Sequence, residues 1–205
     1  MKLLSQTHSP YARKVLVMAH ELGIAGQLEV VHHETSPTRR NDTVFASNPL
    51  GKVPVLICDD GLNLFDSIVI CEYLDGLHEG KRLVPASGRE RLLALRLQAL
   101  AQGLIEAGIA IRWEVERRPS ELRWKVQADG QTEKLLASYD FLEREVDLDG
   151  TLDIGKIALA TALSWIEFRS LPSFKEGRSR LTSWHDAFAR RPSMTATRYQ
   201  GETHD

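Results

Sequence analysis

The stretch NPLGKVPVL, Asn48 to Leu56, decides the fold of this chain. Pro54 opens a run of apolar β-formers, Val55, Leu56 and Ile57. A proline has no N–H to give to a ladder, so it belongs at the first residue of a strand. Gly51 and Lys52 read as a turn just before it, which leaves the backbone N–H and C=O of Val53 unpaired. An unpaired amide at a strand entrance is free to bind another peptide-like chain, and the implied ligand is a small peptide.

Ten residues on, FDSIVICEYL, Phe65 to Leu74, supplies the complementary end of such a site. Asp66 and Ser67 precede the helical run Ile68, Ile70, Cys71, Leu74, where a side-chain oxygen caps orphan N–H groups and the helix dipole favours an anion. A ligand carboxylate would sit on Ser67 with its ammonium group near Asp66. The same pair also serves as a plain helix cap, and the residues alone leave both roles open.

These residues resemble the glutathione S-transferase family, in particular its serine-type bacterial members. KVPVL is similar to the family's cis-proline loop, and FDS to its strand-to-helix motif for the γ-glutamyl end of glutathione, usually written with Glu or Gln before the Ser. SPYARKVLVMAHELGI (Ser9–Ile24) and DIGKIALATALSWIEFR (Asp153–Arg169) carry the resemblance over nearly the whole chain. It implies an α/β thioredoxin-like N-terminal domain over 1–78, a linker over 79–88 and an all-α helical bundle over 89–205. It also implies a homodimer with a detoxifying activity and glutathione as cosubstrate rather than a resident cofactor. Lys52, Val53, Pro54, Asp66 and Ser67 are the expected glutathione-binding residues, with a cis bond before Pro54.

In serine-type members the residue that activates the glutathione sulfur opens the first helix in a pattern similar to S-P-[FY]-x-x-[RK]-V, which puts Ser9 in that place. Favouring thiolate over thiol about a hundredfold takes roughly 2.7 kcal/mol. A hydrogen bond to a charged acceptor contributes about 1.5 to 3 kcal/mol, and a helix N-terminus roughly 0.3 to 1 kcal/mol. Together they suffice without a metal or a base. Ser-Pro is also an ordinary helix opening, so Ser9 has a capping role open to it as well. Tyr11 is the rival hydroxyl; it lies one turn inside the helix and is expected to line the cosubstrate pocket, as is Trp113. A cysteine at position 9 would have favoured disulfide exchange with glutathione, and a serine argues against it.

The bulk properties agree. With 205 residues the chain can bury a sizeable core. Lys+Arg 26 against Asp+Glu 28 gives a net charge of -2, which offers no footprint for nucleic acid or a membrane surface. The run after Lys2 is too short for a secretory signal, and no sequence run approaches the roughly 20 apolar residues of a membrane span. Cys58 and Cys71 lie in apolar runs without CxxC spacing, which favours buried thiols in a reducing cytoplasm.

Along the chain, Lys2–Ser5 reads as a strand, Ser9–Gly23 as a helix, Leu28–Glu34 as a strand, and Thr35–Ser47 as irregular with one short helix. Val55–Cys58 and Leu62–Phe65 form a hairpin around Asp59, Asp60 and Gly61. Beyond the linker, helices are expected over Arg89–Arg117, around Leu135–Val146 with a start as early as Ser120, over Ile157–Phe168 and around Leu181–Phe188, followed by a polar tail. His32 and His33 are adjacent on a strand and point to opposite faces, so no metal site is expected. Arg39, Arg40 and Asn48 are candidates for the glycyl carboxylate, behind Lys52. Lys156, three residues after the cap Asp153, is unfavourable beside the positive end of the helix.

The expected activity is conjugation of the glutathione thiolate to an electrophilic apolar small molecule. A non-catalytic glutathione-binding or protein-interaction module, and a glutathione-dependent peroxidase, reductase or dehalogenase, are the alternatives on the same scaffold.

Overall fold

The structure is a computed structural model that describes residues 1–80 and 82–201. Residue 81, inside the expected linker, and 202–205, at the end of the expected helical domain, lie outside the described residues. The chain forms two units, one of Met1–Ala86 with the chain from Pro192 on, the other of Ser87–Arg191.

The first unit is an α/β layer. Strands β1 (Lys2–Ser5), β2 (Glu29–His32), β3 (Val55–Ile57) and β4 (Asn63–Leu64) form one sheet in the order β2-β1-β3-β4. β1 and β2 are parallel, and a parallel pair needs a crossover, which helix α1 (Pro10–Glu21) supplies. The other two pairings are antiparallel. β2 and the hairpin strands are shorter than their apolar runs suggested. Helix α1 buries Ala12, Val15, Val17, Met18 and Ala19, and ends where Gly23 takes a positive φ of 72°. Helix α2 (Asp42–Ser47) starts at Asn41, whose Oδ1 accepts from the Val44 N–H at 3.2 Å. Helix α3 (Ser67–Asp75) closes the layer. The buried carboxylate of Asp75 then accepts the N–H groups of Leu83 and Val84 at 2.7 and 3.3 Å, so part of the expected linker is tied to this unit.

The turn into β3 is held by one side chain. Asn48 is buried; its Nδ2 donates to the Lys52 carbonyl at 2.9 Å and its Oδ1 accepts from the Leu50 N–H at 3.0 Å. Gly51 within this turn has φ 63° and lies flat against the Phe45 ring, while the Arg40 guanidinium stacks on that ring at 3.9 Å. Thr35 Oγ1 donates to the Gly51 carbonyl at 2.9 Å.

The sequence reading leaves everything after Pro192 as a polar tail of the helical domain. In the structure Pro192–Ala196 forms a short helix, α8, packed on α1 in the first unit, with Met194 1% exposed. One large apolar residue is too little to give a periodic pattern.

The second unit is all helical. Helix α4 (Gly88–Arg112) continues into a π-helical turn (Trp113–Arg117), and α5 (Lys125–Glu145), α6 (Ile154–Phe168) and α7 (Ser179–Ala189) follow. α5 starts later than the earliest expected position: Ser120–Leu122 forms only a 3-10 turn, and the buried Glu114 carboxylate accepts the Trp124 N–H just before α5. α6 is buried almost all round, with Ile157, Leu159, Ala160, Leu163 and Ile166 fully inaccessible. By length and composition the Gly88–Arg117 segment passes for a membrane span; its α4 part packs along α6.

α5 and α7 cap each other. The Glu143 carboxylate accepts the N–H groups of Arg180 and Leu181 at the start of α7, and the Arg180 guanidinium donates to the carbonyls of Leu142, Glu143 and Val146 at the end of α5. Opposite orphan groups and opposite dipole ends are satisfied by one acid and one base.

Lys156 corrects the unfavourable expectation. Asp153 Oδ1 caps α6 through the Lys156 N–H at 3.0 Å, and the Lys156 ammonium turns back to the carbonyls of Asp149 and Thr151, the latter at 2.8 Å. Its charge is thus met by loop carbonyl dipoles and, at 3.9 Å, by the capping Asp153 carboxylate itself.

Two close approaches at glycines are testable. A Cβ on Gly51 would sit 2.2 Å from Phe45 Cε2 at a backbone angle that side chains resist, so Gly51→Ala is expected to cost about 2–4 kcal/mol in a denaturant titration. A Cβ on Gly155 would meet the Ala94 carbonyl at 2.5 Å and Leu97 Cβ at 2.9 Å, where α6 crosses α4. Both neighbours belong to α4 and neither is a flexible tip, so Gly155→Ala is expected to cost about 1–3 kcal/mol.

Candidate functional site

The strand register brings the expected site segments to one end of the sheet. Leu4 pairs with Val55 in antiparallel β1 and β3, so the chain leaving β1 and the chain entering β3 share an end. Leu56 pairs with Leu64 in β3 and β4, so the chain leaving β4 runs back to the same end. The loop carrying Ser9, the Val53–Pro54 entrance and the Asp66–Ser67 helix start therefore lie together in the first unit.

Ser9 is 6% exposed and is the N-cap of α1; its Oγ accepts from the Ala12 N–H at 3.2 Å. That bond occupies a lone pair and leaves the hydroxyl hydrogen as a donor, so capping and donation to a ligand are compatible. The preceding loop is fixed from β2. Gln6 Nε2 donates to the Thr35 carbonyl at 2.9 Å, and the Thr7 N–H donates to His32 Nδ1 at 3.4 Å. His32 Nε2 in turn meets Glu34 Oε1 at 2.8 Å.

Val53 puts its side chain into a core cluster with Leu4, Val44 and Val55. Among the described residues its backbone N–H and C=O have no hydrogen-bond partner. The Val53–Pro54 bond is cis, as the sequence led us to expect, and Pro54 is buried. Lys52 is exposed beside it.

At the third segment the two candidate side chains divide their work. Asp66, exposed, is the cap of α3 and accepts from the Ile68 N–H through Oδ1 at 2.9 Å. Ser67 is the first helical residue, is fully buried, and its Oγ has no hydrogen-bond partner. A buried hydroxyl without a partner costs about 1–3 kcal/mol, which a ligand oxygen placed there would recover.

Two further groups of the α1–α3 contact are titratable. Burial lowers the Lys14 ammonium's pKa, while Cys71 and Asp66 nearby raise it. Burial pushes the Cys71 thiol up to about 11 and the nearby Lys14 charge pulls it back only in part, so this thiol stays protonated and inert at neutral pH. Cys58 is also free and buried.

Tyr11 is half-buried on α1 in the first unit, and Trp113 is half-buried at the start of the π-helical turn in the second. Of the candidates for the glycyl carboxylate, Asn48 is committed to its own turn and Arg40 to Asp42, at 2.7 Å, and the Phe45 ring. Asn48 and His32 position the site and were not assigned that work from the sequence. The Asn-Pro-x-Gly spacing of residues 48–51 carries the signal for Asn48, since Asn side chains organise turns through their own backbone.

Comparison with known proteins agrees with this geometry. The family model of the glutathione S-transferase N-terminal domain matches residues 8–77. A GST-like protein of Escherichia coli (strain K12), YibF, itself uncharacterized, is 33% identical over 82% of this chain and 83% of its own length. Glutathione S-transferase omega-1 of Sus scrofa is 25% identical over 96% of this chain and 79% of its own. Among solved structures, a glutathione transferase family member from Pseudomonas fluorescens Pf-5 with bound glutathione superposes with a TM-score of 0.93 at 35% identity, covering 98% of this chain and 99% of that one. A thioredoxin-like layer with a cis-proline entrance, an all-helical second unit and relatives of this closeness lead to one conclusion: the chain belongs to the glutathione S-transferase family.

Proposed function

We propose that this protein binds glutathione at the Ser9, Val53 and Ser67 end of its sheet and transfers the glutathione thiolate to an electrophilic apolar small molecule. The observation that carries the binding half is the fully buried, unpartnered Ser67 hydroxyl at the N-terminus of α3. It fits the γ-glutamyl carboxylate, which helix N–H groups and dipole favour there. The capping Asp66 carboxylate, exposed beside it, fits the ammonium of the same residue. The unpaired Val53 N–H and C=O fit the peptide backbone of the ligand as an added strand would, and exposed Lys52 fits its glycyl carboxylate.

The sulfur end of such a ligand falls to Ser9. Its hydroxyl hydrogen donates to the thiolate while its oxygen keeps the helix cap. The thiolate then attacks the electrophilic carbon, an S–C bond forms, and the leaving group departs with its electron pair. Tyr11 is the proposed side chain of the first unit for the apolar cosubstrate, and the working form is proposed to be a cytoplasmic homodimer. The second reading is glutathione-dependent reduction on the same scaffold. It is the weaker one for this chain, because position 9 is a serine and holds no thiol for a mixed disulfide.

Ser67→Ala removes a buried hydroxyl that no protein group uses, so the thermal stability of the ligand-free protein should hold or rise while glutathione affinity falls about tenfold to a hundredfold by calorimetry. Unchanged affinity would take Ser67 out of the site. Ser9→Ala should lower turnover at saturating glutathione by about tenfold to a hundredfold, with little change in affinity. Its pH–rate profile should move alkaline, because the thiol is then harder to ionise. Undiminished turnover across a panel of electrophiles, or a profile that does not move, would assign thiolate stabilisation to Tyr11 or to backbone N–H groups.

A further inference from the structure

Residues 192–200 belong to the first unit and grip the chain around Ser9. Arg13, one turn after Ser9 and 7% exposed, points its guanidinium at this segment. Nη2 donates to the Met194 carbonyl at 3.0 Å, Nε donates to Thr197 Oγ1 at 3.4 Å, and the guanidinium lies 4.2 Å from the centre of the Tyr199 ring. Thr197 Oγ1 donates in turn to the Ser193 carbonyl at 2.8 Å, and the Ser193 hydroxyl donates to Glu21 at the far end of α1. Two residues before Ser9 the grip is repeated: Thr7 Oγ1 donates to the Gln200 carbonyl at 3.0 Å and the Gln200 N–H donates to the Thr7 carbonyl at 3.3 Å. The segment thus holds the chain on both sides of Ser9.

We infer that Arg13 and the C-terminal segment Met194–Gln200 form a strap that positions the Ser9 hydroxyl for the thiolate, with Arg13 as the positioning residue. A purely structural tail would be anchored by apolar burial, as Met194 is. Here a buried guanidinium reaches three groups of the segment, and the pair at Thr7 and Gln200 adds nothing to the core. The Arg13 head is committed to the strap, and its backbone N–H donates to the Ser9 carbonyl at 3.0 Å. Strap and Ser9 are therefore linked through one peptide turn. The inference rests on the proposed role of Ser9 for its chemical consequence and on the hydrogen bonds and the Arg13–Tyr199 ring contact for its structural one.

The test uses the full-length chain, Gln200→Pro, which deletes the N–H donated to Thr7, Tyr199→Leu, which removes the ring under Arg13, and a chain ending at Ala196. Amide hydrogen exchange should rise about tenfold or more at Arg13 and the neighbouring N–H groups of the α1 start, and stay unchanged over Ile70–Leu74 of α3. Ultraviolet titration of bound glutathione should show its thiol pKa rising in the same variants, with kcat falling and glutathione affinity held. Exchange at the α1 start that is the same in all variants overturns the strap, whatever glutathione does. Faster exchange with an unmoved thiol titration overturns its positioning role. A parent chain that binds glutathione without ionising it refutes the proposed function of Ser9, and the exchange result still decides the strap. If the shortened chain does not fold, the two point variants, both at positions outside the core, give the same decision.

Discussion

The antiparallel pairing of β1 with β3 is the constraint on which the rest of this site depends. Because Leu4 faces Val55, the entrance to β3 must lie beside the exit from β1. Because β4 folds back on β3, the start of α3 must lie there too. A slip of one residue in the first pairing would turn Leu4 and Val55 out of the core they share with Val44 and Val53. Burying each such side chain is worth about 1.5–3 kcal/mol, so the register is strongly set by residues that have no chemical role. The site is a by-product of a packed sheet, which is why its parts need no contact with one another to be held in place.

Within that frame, structural and chemical roles fall on the same atoms or on neighbours. Ser9 caps α1 with a lone pair and keeps its hydrogen. At α3 the split is between residues: Asp66 takes the cap and Ser67 is left buried and unpartnered. Had Ser67 been the cap, its oxygen would have been satisfied by the helix and nothing in the geometry would point to a ligand. The proposed site would answer the question that the sequence leaves open, cap or site, differently at the two helix starts: both roles in one residue at α1, one role each at α3.

What the sequence made legible is what strong local chemistry imposes. Pro54 before three β-formers, Ser9 before Pro10, and the apolar run from Ile157 to Phe168 each produced the element expected of it. The misses have the opposite character. α8 has one buried apolar side chain of size and is held by Arg13, a partner far away in sequence, so no window over 192–196 could reveal it. Lys156 looked unfavourable because its own helix was the only visible context, whereas its ammonium is satisfied by carbonyls of the loop before it. His32 looked like a strand residue with nothing to do, and its role at Thr7 depends on the parallel pairing of β1 with β2. Interactions over long sequence distance, and polar side chains turned back on the backbone, are the two classes that pattern reading does not reach.

A hydroxyl is a demanding device for holding a thiolate. The roughly 2.7 kcal/mol needed for a hundredfold shift is close to the whole of what one charge-assisted hydrogen bond provides, and the helix end adds only about 0.3 to 1 kcal/mol. Hydrogen bonds weaken steeply once misaligned, so a serine has little margin for a loose loop. A cysteine at the same place would exchange with a glutathione disulfide, forming a mixed disulfide as the other thiolate leaves, and a covalent bond tolerates more slack. The density of restraints around Ser9 follows this logic. Gln6 and Thr7 are held from the β2 side, and Thr7 and Arg13 from the C-terminal segment, none of them through the bulk of the core. On this argument the choice of serine at position 9 and the return of the chain's end to the first unit are two parts of one solution.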